Sequence, residues 1–221
     1  MPTLAHLTCV SSTRETVQSR IADMKAAGIE NVMALRGDIP AELQGTDQSG
    51  WDYHHAVELV RELKRFGDFC VGGACYPEKH PESATLSEDI RHLKEKVDSG
   101  CDFLTTQMFF DNTLLYSWLY KIREGGITVP VLPGIMPITN ANQLERAIKL
   151  SGSFMPQRFK SLVDRFGHDA AAMKQAGIAY ATDQIIDLYA NGIHTVHVYT
   201  MNKPDVAAKI MQNLSDILGK A

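Results

Sequence analysis

The sequence predicts an α/β protein with a parallel β-sheet, because six short apolar runs alternate with amphipathic helical segments. No Gly-x-Gly-x-x-Gly motif follows the first predicted strand, and polar groups stand at the ends of all the strands rather than at one switch point. Both features favour a (β/α)8 barrel, the TIM-barrel class, over an open doubly wound sheet. Since a complete barrel has eight strands, we expect about six of the eight βα units in this chain.

Each predicted strand is a short apolar run, and each predicted helix has apolar residues at helical spacing. The strands are predicted at residues 4–10, 32–35, 69–75, 103–107, 129–134 and 195–199. The helices are predicted at residues 15–27, 53–66, 87–99, 113–125, 141–150 and 204–218, with a more complicated helical stretch at 156–191. Residues 40–51, rich in Gly, Asp and Gln, are predicted to form a long loop after the second strand.

Composition limits the classes of function that are open. The chain has 221 residues, of which 44% are hydrophobic, and a formal net charge of -4. This length predicts one domain over residues 1–221, and the mild acidity argues against nucleic-acid binding. No apolar run approaches the roughly 18 residues of a membrane span, and no signal peptide is visible, so we expect a cytoplasmic protein. The four cysteines form no Cys-x-x-Cys pair and are expected to be buried free thiols.

The ends of the predicted strands carry the groups best suited to chemistry. Arg36, Gly37 and Asp38 follow the second strand and bring together a cation, a bare backbone and a carboxylate. A solvated turn with an ordinary Arg–Asp ion pair is the alternative interpretation of this segment. The other strand ends add groups that could equally be packing or turn residues: Tyr76, His80, Gln107, Phe109, Phe110, Pro133, Gly134, Pro137 and Tyr199.

Together these residues describe one rim lined with aromatic rings, amides, a carboxylate and two bases. His6, His80 and His197 lack the spacing of metal ligands, and no Ser or Cys lies in a nucleophile elbow. The rim therefore favours an organic cofactor over a metal or a covalent nucleophile.

Seven motifs, in this order, resemble those of the methylenetetrahydrofolate reductase family. They are HLTC at 6–9, ALRGD at 34–38, YPEKHPE at 76–82, LKEKVDSG at 93–100, TQMFFD at 106–111, PGIMP at 133–137 and YTMN at 199–202. The resemblance implies a (β/α)8 barrel that binds FAD at the carboxyl ends of its strands. It also implies a ping-pong reaction of one-carbon metabolism and methionine biosynthesis. In that reaction NAD(P)H reduces FAD, and 5,10-methylenetetrahydrofolate is then reduced to 5-methyltetrahydrofolate.

The resemblance assigns roles to individual positions and implies no metal. It assigns FAD to His6, Leu35, Arg36, Gly37, Asp38, His55, Ala56, Ala74, Tyr76, His80, Asp89, His92 and Lys96. It assigns the substrates to Asp38, Gln107, Gln143, Tyr199 and Lys203, with Asp38 and Gln107 as catalytic residues. Arg36 and Lys96 suit a pyrophosphate, and a carboxylate at Asp38 suits a cationic folate iminium.

Three positions depart from the family pattern. His55 stands where relatives often have a Tyr, and Ala147 where some bacterial relatives have a large apolar residue that stacks on the ligand. Lys203 stands where Arg is common. A lysine there still offsets a folate glutamate charge but does not form a bidentate fork.

Family members begin two βα units earlier, a difference of roughly 60 residues, and the first of those strands carries the Glu that acts as general acid. We therefore expect an N-terminally truncated domain that lacks the folate half-reaction on its own and forms a homo-oligomer when full length. A non-catalytic flavin- or folate-binding remnant is the alternative. A barrel enzyme for a phosphorylated substrate is a third possibility, which the lack of a Gly-rich loop before the last helix disfavours.

Overall fold

The fold consists of short parallel strands that alternate with helices. The computed structural model describes residues 2–219, with all their side chains except those of residues 145, 146, 149 and 150. The strands are β1 Leu4–Thr8, β2 Asn31–Leu35, β3 Cys70–Cys75, β4 Phe103–Thr106, β5 Val131–Leu132, β6 Gly134–Ile135 and β7 His197–Val198. The helices are α1 Arg14–Ala26, α2 Ala56–Phe66, α3 Leu86–Asp98, α4 Asn112–Glu124, α5 Ala141–Ser151, α6 Gln157–Phe166, α7 Ala170–Ala190, α8 Pro204–Asn213 and α9 Ser215–Leu218. A single 3-10 turn, Ala41–Leu43, lies in the predicted long loop.

The strand order confirms the predicted α/β class of the TIM-barrel type. Strands β1 to β5 form one sheet in sequence order, and β6 pairs with β7. The β1–β2, β2–β3 and β6–β7 pairs are parallel. Parallel neighbours joined through helices are what the alternating sequence pattern requires.

Several element boundaries differ from the sequence prediction, two of them for an identifiable local reason. The fifth predicted strand is divided into β5 and β6 at Pro133, which has no N–H to donate to a ladder. The stretch 156–191 contains two helices, and the Asp169 carboxylate caps the second by accepting the N–H groups of Ala171 and Ala172. Helix α2 begins at Ala56 rather than Tyr53.

The described chain divides into two compact units. The first unit contains the residues up to Cys75, Ser87–Thr105 and Arg123–Val131. The second unit contains Tyr76–Leu86, Thr106–Ile122 and the residues from Leu132 onward. The single domain expected from length stays a prediction.

In the first unit, α1 and α2 cover one face of the β1–β3 strands. Alternation along β1 buries Leu7 and leaves His6 and Thr8 exposed. The buried cluster consists of Leu7, Cys9, Val17, Ile21, Val32, Ala34, Tyr53, Leu59, Val60, Leu63, Phe69, Val71 and Cys101. The four cysteines are free thiols, and Cys9, Cys75 and Cys101 are buried as predicted, whereas Cys70 is only half-buried.

The core of the second unit is built on aromatic rings. The Phe110 and Phe159 rings are stacked with centroids 5.1 Å apart, and the Phe159 and Tyr180 ring centroids are 4.5 Å apart. The Tyr180 hydroxyl donates to the Phe110 carbonyl at 2.6 Å. These contacts fix the segment that follows β4 against α6 and α7.

Across the described residues, no helix has both the length and the apolar character that crossing a membrane would require.

Removal of the Phe159 ring tests this core. Phe159 is fully buried, so Phe159→Ala is expected to lower the free energy of unfolding by about 3–5 kcal/mol through lost burial and a cavity. Phe166→Ala is the control, because Phe166 lies on the same helix but is 39% exposed, and it should change stability by less than about 1 kcal/mol. Urea unfolding followed by circular dichroism measures both. Equal losses would contradict the assignment of Phe159 to the core.

Candidate functional site

The segment after β2 is held by its own main chain. The Arg36 carbonyl accepts the N–H groups of Cys9 and Val10, at 3.2 and 2.8 Å. These bonds tie the segment after β2 to the one after β1. Leu35, Arg36 and Gly37 are half-buried, and the Asp38 carboxylate is exposed. The predicted cation, bare backbone and carboxylate therefore lie together at the carboxyl end of β2.

Two structural features favour glycine at position 37. Its φ of +89° lies in the left-handed region that other residues rarely adopt. A Cβ at this position would lie 3.0 Å from Val10 Cγ1 and 3.1 Å from Thr8 Cβ. Only a residue without a side chain fits this turn, and its backbone is the surface left for a ligand.

His6 and His55 occupy exposed positions in the first unit. His6 lies on β1 opposite Met33, and this register puts both side chains on one face of the sheet. His55 precedes α2, and the Glu58 carboxylate accepts its N–H at 2.9 Å. Ala56 is the first residue of that helix and is half-buried. The Glu58 bond fixes the start of α2, and with it the His55 backbone.

Helix α3 presents three of the predicted residues on one face. Asp89, His92 and Lys96 follow one another at spacings of three and four residues, which places them side by side. Asp89 is buried, and His92 is exposed with its Nε2 3.1 Å from a guanidinium nitrogen of Arg91. The Lys96 ammonium donates to the Ala74 carbonyl at 2.6 Å. Lys96 and Ala74 are thus brought together at the carboxyl end of β3.

Lys96 lies in a desolvated environment. Burial lowers the pKa of its ammonium, and the nearby Cys101, Cys75 and Asp89 act in the opposite direction. A Cβ at Gly73 would lie 2.9 Å from Cys101 Sγ and 3.1 Å from Lys96 Cδ, so the lysine stem packs on the strand. Burial also raises the pKa of the Cys101 thiol to about 11, so this thiol stays neutral at pH 7. Lys96 is consequently a partly desolvated cation with the Asp89 carboxylate among its neighbours.

In the second unit, Tyr76 and His80 form one ring pair. Their centroids are 4.6 Å apart in an edge-to-face arrangement. His80 Nδ1 accepts the N–H of Glu82 at 3.1 Å. An accepting Nδ1 leaves Nε2 as the donor of the neutral ring. The two predicted residues therefore act as a unit within the YPEKHPE segment.

Tyr199 is joined to the residue that precedes Gln107. Its hydroxyl donates to the Thr106 carbonyl at 2.7 Å, and the Thr106 hydroxyl accepts the Gly134 N–H at 2.8 Å. A Cβ at Gly134 would lie 2.6 Å from Tyr199 Cε2, so the ring crosses the strand where no side chain stands. Gln107 is half-buried, and its Oε1 accepts the Met108 N–H at 2.9 Å. With its oxygen engaged, the amide nitrogen of Gln107 remains as the hydrogen-bond donor of the side chain.

Gln143 and Lys203 meet at Thr139. The Thr139 N–H and hydroxyl donate to Gln143 Oε1 at 3.1 and 3.3 Å, and the Lys203 ammonium donates to Thr139 Oγ1 at 2.8 Å. Like Gln107, Gln143 thus has its oxygen engaged and its amide nitrogen oriented for donation. Sequence reasoning missed Thr139 and Thr106. Thr106 begins the TQMFFD motif and Thr139 lies two residues after PGIMP, but nothing in either segment specified these bonds.

The predicted site residues are divided between the two compact units. The first unit holds His6, Leu35, Arg36, Gly37, Asp38, His55, Ala56, Ala74, Asp89, His92 and Lys96, and the second holds Tyr76, His80, Gln107, Gln143, Tyr199 and Lys203. Most positions assigned to FAD are in the first unit, and all those assigned to substrate except Asp38 are in the second. Within residues 2–219, no group of three or more His, Cys, Asp or Glu side chains is arranged to hold a metal.

Comparison with known proteins identifies the family. The sequence model described as methylenetetrahydrofolate reductase matches residues 1–215. The chain belongs to the methylenetetrahydrofolate reductase family. It is 35% identical to methylenetetrahydrofolate reductase 1 of Schizosaccharomyces pombe over 96% of this chain and 35% of that protein. It is 32% identical to 5,10-methylenetetrahydrofolate reductase of Pectobacterium carotovorum over 95% of this chain and 68% of that protein.

Curated relatives differ in length from this member of the methylenetetrahydrofolate reductase family. The chain spans about a third of the Schizosaccharomyces protein and about two thirds of the Pectobacterium protein. Among solved structures, an uncharacterized Clostridium thermocellum protein that binds two copies of 5-methyl-5,6,7,8-tetrahydrofolic acid has a similar fold, with a TM-score of 0.53 and 13% identity. That alignment covers 99% of this chain and 95% of that protein.

The structure shows the surroundings of two residues that depart from the methylenetetrahydrofolate reductase pattern. Ala147 is buried in the second-unit core with Phe110 and Phe159, one turn after Gln143 on α5. Its methyl group therefore belongs to the packing of that helix. Lys203 precedes α8, and its ammonium is already bonded to Thr139.

The Gly37 turn yields a stability prediction. Gly37→Ala is expected to lose more stability than Gly28→Ala, because Gly28 has a φ of +71° but no atom within 4 Å of its missing Cβ. Gly28→Ala isolates the left-handed strain, about 1–2 kcal/mol, and Gly37→Ala adds about 1–3 kcal/mol from overpacking. Thermal and urea unfolding of the two variants measures the difference. Equal losses would mean that Val10 and Thr8 yield without cost.

The Thr139 relay yields a second prediction. Thr139→Val keeps the shape but removes the hydroxyl that links Gln143 to Lys203. In a double-mutant cycle with Lys203→Met, we expect a coupling free energy of about 0.5–1.5 kcal/mol in unfolding experiments. Thr139→Ser, which retains the hydroxyl, should preserve most of the coupling. A coupling near zero would show that the lysine and the hydroxyl do not interact in solution.

Proposed function

We propose that this chain carries the flavin- and folate-binding part of an FAD-dependent reductase. That enzyme converts 5,10-methylenetetrahydrofolate to 5-methyltetrahydrofolate with electrons from NAD(P)H. Membership of the methylenetetrahydrofolate reductase family supports the folate substrate and the reductive chemistry. The observation that carries the flavin part is the setting of Lys96 at the carboxyl end of β3.

The Lys96 ammonium suits the diphosphate of FAD because not all of its hydrogen-bond donors are used. An ammonium has three N–H donors, and in the described part of the chain the Ala74 carbonyl accepts one of them. Lys96 is half-buried, and burial lowers the pKa of its ammonium. An anion beside a partly satisfied buried cation forms charge-assisted hydrogen bonds and restores its pKa.

The end of β2 fits the same cofactor in a different way. Gly37 allows a ligand to approach the main chain, and Arg36 adds a second cation on the same segment. The main-chain bonds from Cys9 and Val10 keep this segment in place before any ligand binds. Preorganisation of this kind lowers the entropy cost of binding.

The side chains of this chain would bind and orient the reactants. FAD, when bound, supplies the acceptor and donor of hydride. The Asp38 carboxylate stabilises positive charge on the folate and disfavours further negative charge near the ring. The amide nitrogens of Gln107 and Gln143, whose oxygens are engaged, would donate to carbonyl or ring-nitrogen acceptors of the planar substrates. Since the Tyr199 hydroxyl donates to Thr106, its ring is the part available to a ligand.

A matched pair of lysine variants tests the proposal. Lys96→Met should weaken FAD binding by the purified chain at least about tenfold, the loss expected for a charge-assisted hydrogen bond. Lys94→Met is the control, because Lys94 lies on the same helix but pairs with Asp98 at the surface. FAD affinity is measured from the change in flavin fluorescence on titration. Equal affinities of both variants and the parent chain would remove Lys96 from the flavin site.

Visible spectra test the redox part separately. Anaerobic NADH or NADPH should bleach the flavin absorbance of the FAD-loaded chain, and methylenetetrahydrofolate should restore it. Bleaching without recovery would indicate that the chain holds the flavin half-reaction alone. Binding of FAD or folate without bleaching would favour a non-catalytic binding protein.

A further inference from the structure

A histidine and a tyrosine form a ring pair at the end of β7. The centroids of His197 and Tyr199 are 4.6 Å apart in an edge-to-face arrangement, with an interplanar angle of 71°. Side chains two positions apart on an extended chain point to the same face, so the strand itself brings the two rings together. The proposed function uses Tyr199 but gives His197 no role.

The Tyr199 ring leans back along the strand toward His197. In the β6–β7 register, His197 lies opposite Gly134, whereas the Tyr199 N–H donates to the Ile135 carbonyl at 2.9 Å. The ring nevertheless reaches Gly134, because a Cβ at that position would lie 2.6 Å from Tyr199 Cε2. The ring therefore crosses a position of β6 that has no side chain, and the next side chain it meets on β7 is the imidazole.

The backbone and the hydroxyl bond leave one degree of freedom of this ring open. The Tyr199 hydroxyl donates to the Thr106 carbonyl at 2.7 Å, which holds the far end of the side chain. The hydroxyl oxygen lies on the Cβ–Cγ axis, so this bond does not fix the rotation of the ring about that axis, which is broad for aromatic side chains. His197 contacts the ring itself and therefore limits this rotation.

We propose that His197 is a positioning residue that sets the rotation of the Tyr199 ring, and with it the plane on which a flat ligand ring stacks. This inference rests on the proposed function, in which Tyr199 meets a planar substrate through its ring. The ring is half-buried, so part of it is accessible to a ligand. Offset stacking requires nearly parallel rings, and a ring whose plane is fixed before binding loses less entropy when the ligand arrives.

The same unit contains a matched ring pair away from the candidate site. The Tyr189 and His194 centroids are 5.2 Å apart with an interplanar angle of 77°. Tyr189 lies in the last turn of α7, and His194 is exposed in the segment that precedes β7. This pair has the same contact chemistry as His197 and Tyr199 but no proposed ligand, so it serves as the control.

Two substitutions at position 197 separate the ring from its bulk. His197→Leu keeps a side chain of similar size without an aromatic ring, and His197→Phe keeps the ring. Each chain is loaded with reduced FAD, so that neither 5-methyltetrahydrofolate nor NADH exchanges a hydride with it, and anaerobic titration calorimetry gives the affinity for both. We expect His197→Leu to weaken the ligand that stacks on Tyr199 by about two- to tenfold, the range that an edge-to-face pair contributes. His197→Phe should restore the affinity to within about twofold of the parent, and His194→Leu should leave it unchanged.

A double-mutant cycle shows whether His197 acts through Tyr199. In a Tyr199→Leu background the ring is absent, so His197→Leu should cause no further loss of affinity. Independent losses that multiply in the double variant would overturn the inference, as would equal losses in His197→Leu and His197→Phe. Unchanged affinity of His197→Leu for both ligands would overturn it as well.

Nuclear magnetic resonance gives a readout on the parent chain, with no substitution at position 197. In a chain with 13C-labelled tyrosine, the Tyr199 ring signals are assigned by their absence from Tyr199→Phe. We expect these signals to move when the stacked ligand is added, and those of Tyr189 to stay in place. Tyr199 signals that do not move while a ligand binds would overturn the inference, whereas a parent chain that binds neither ligand would overturn the proposed function instead.

Discussion

The second unit depends on the hydrogen bonds of Thr106. Strands β6 and β7 pair over only two residues each, too few to be stable alone. Thr106 is fully buried at the end of β4, where its hydroxyl accepts the Gly134 N–H and its carbonyl accepts the Tyr199 hydroxyl. One residue thus anchors both short strands. Because Gln107 follows it directly, the same anchor sets the position of the amide at the candidate site.

A second constraint acts on the side chains that would meet ligands. Gln107 and Gln143 each have their side-chain oxygen bonded to a neighbouring backbone N–H, so neither amide is free to flip without loss of a bond. An amide that is fixed in this way distinguishes acceptors from donors on its ligand. The two glutamines therefore offer donors only. The Lys203 ammonium is held next to Gln143 through the Thr139 hydroxyl.

The alternation of apolar runs and helical segments was enough to predict the order of elements, since each pattern follows from the period of the backbone itself. The interruption at Pro133 and the division of residues 156–191 were missed, because they depend on one absent N–H and one cap rather than on periodicity. The motif positions at Arg36, Gly37 and Lys96 could be located from sequence. The bonds through Thr106 and Thr139 could not, since they join residues 93 and 64 positions apart along the chain.

The unpartnered oxygen of Glu78 shows why such contacts escape a sequence-based prediction. Nothing in Tyr-Pro-Glu separates a solvated surface carboxylate from a buried one, because burial is decided by Phe154 and by the segment after β4. Within the described residues, the Phe154 N–H is the hydrogen-bond partner of this half-buried carboxylate, and it bonds Oε2 alone. A lysine with three donors stands next to it, yet the turn at Lys79 directs that ammonium to the His80 and Ser83 carbonyls. The fold therefore leaves Glu78 Oε1 without a hydrogen-bond partner within the described residues, although a lysine follows it directly in the sequence.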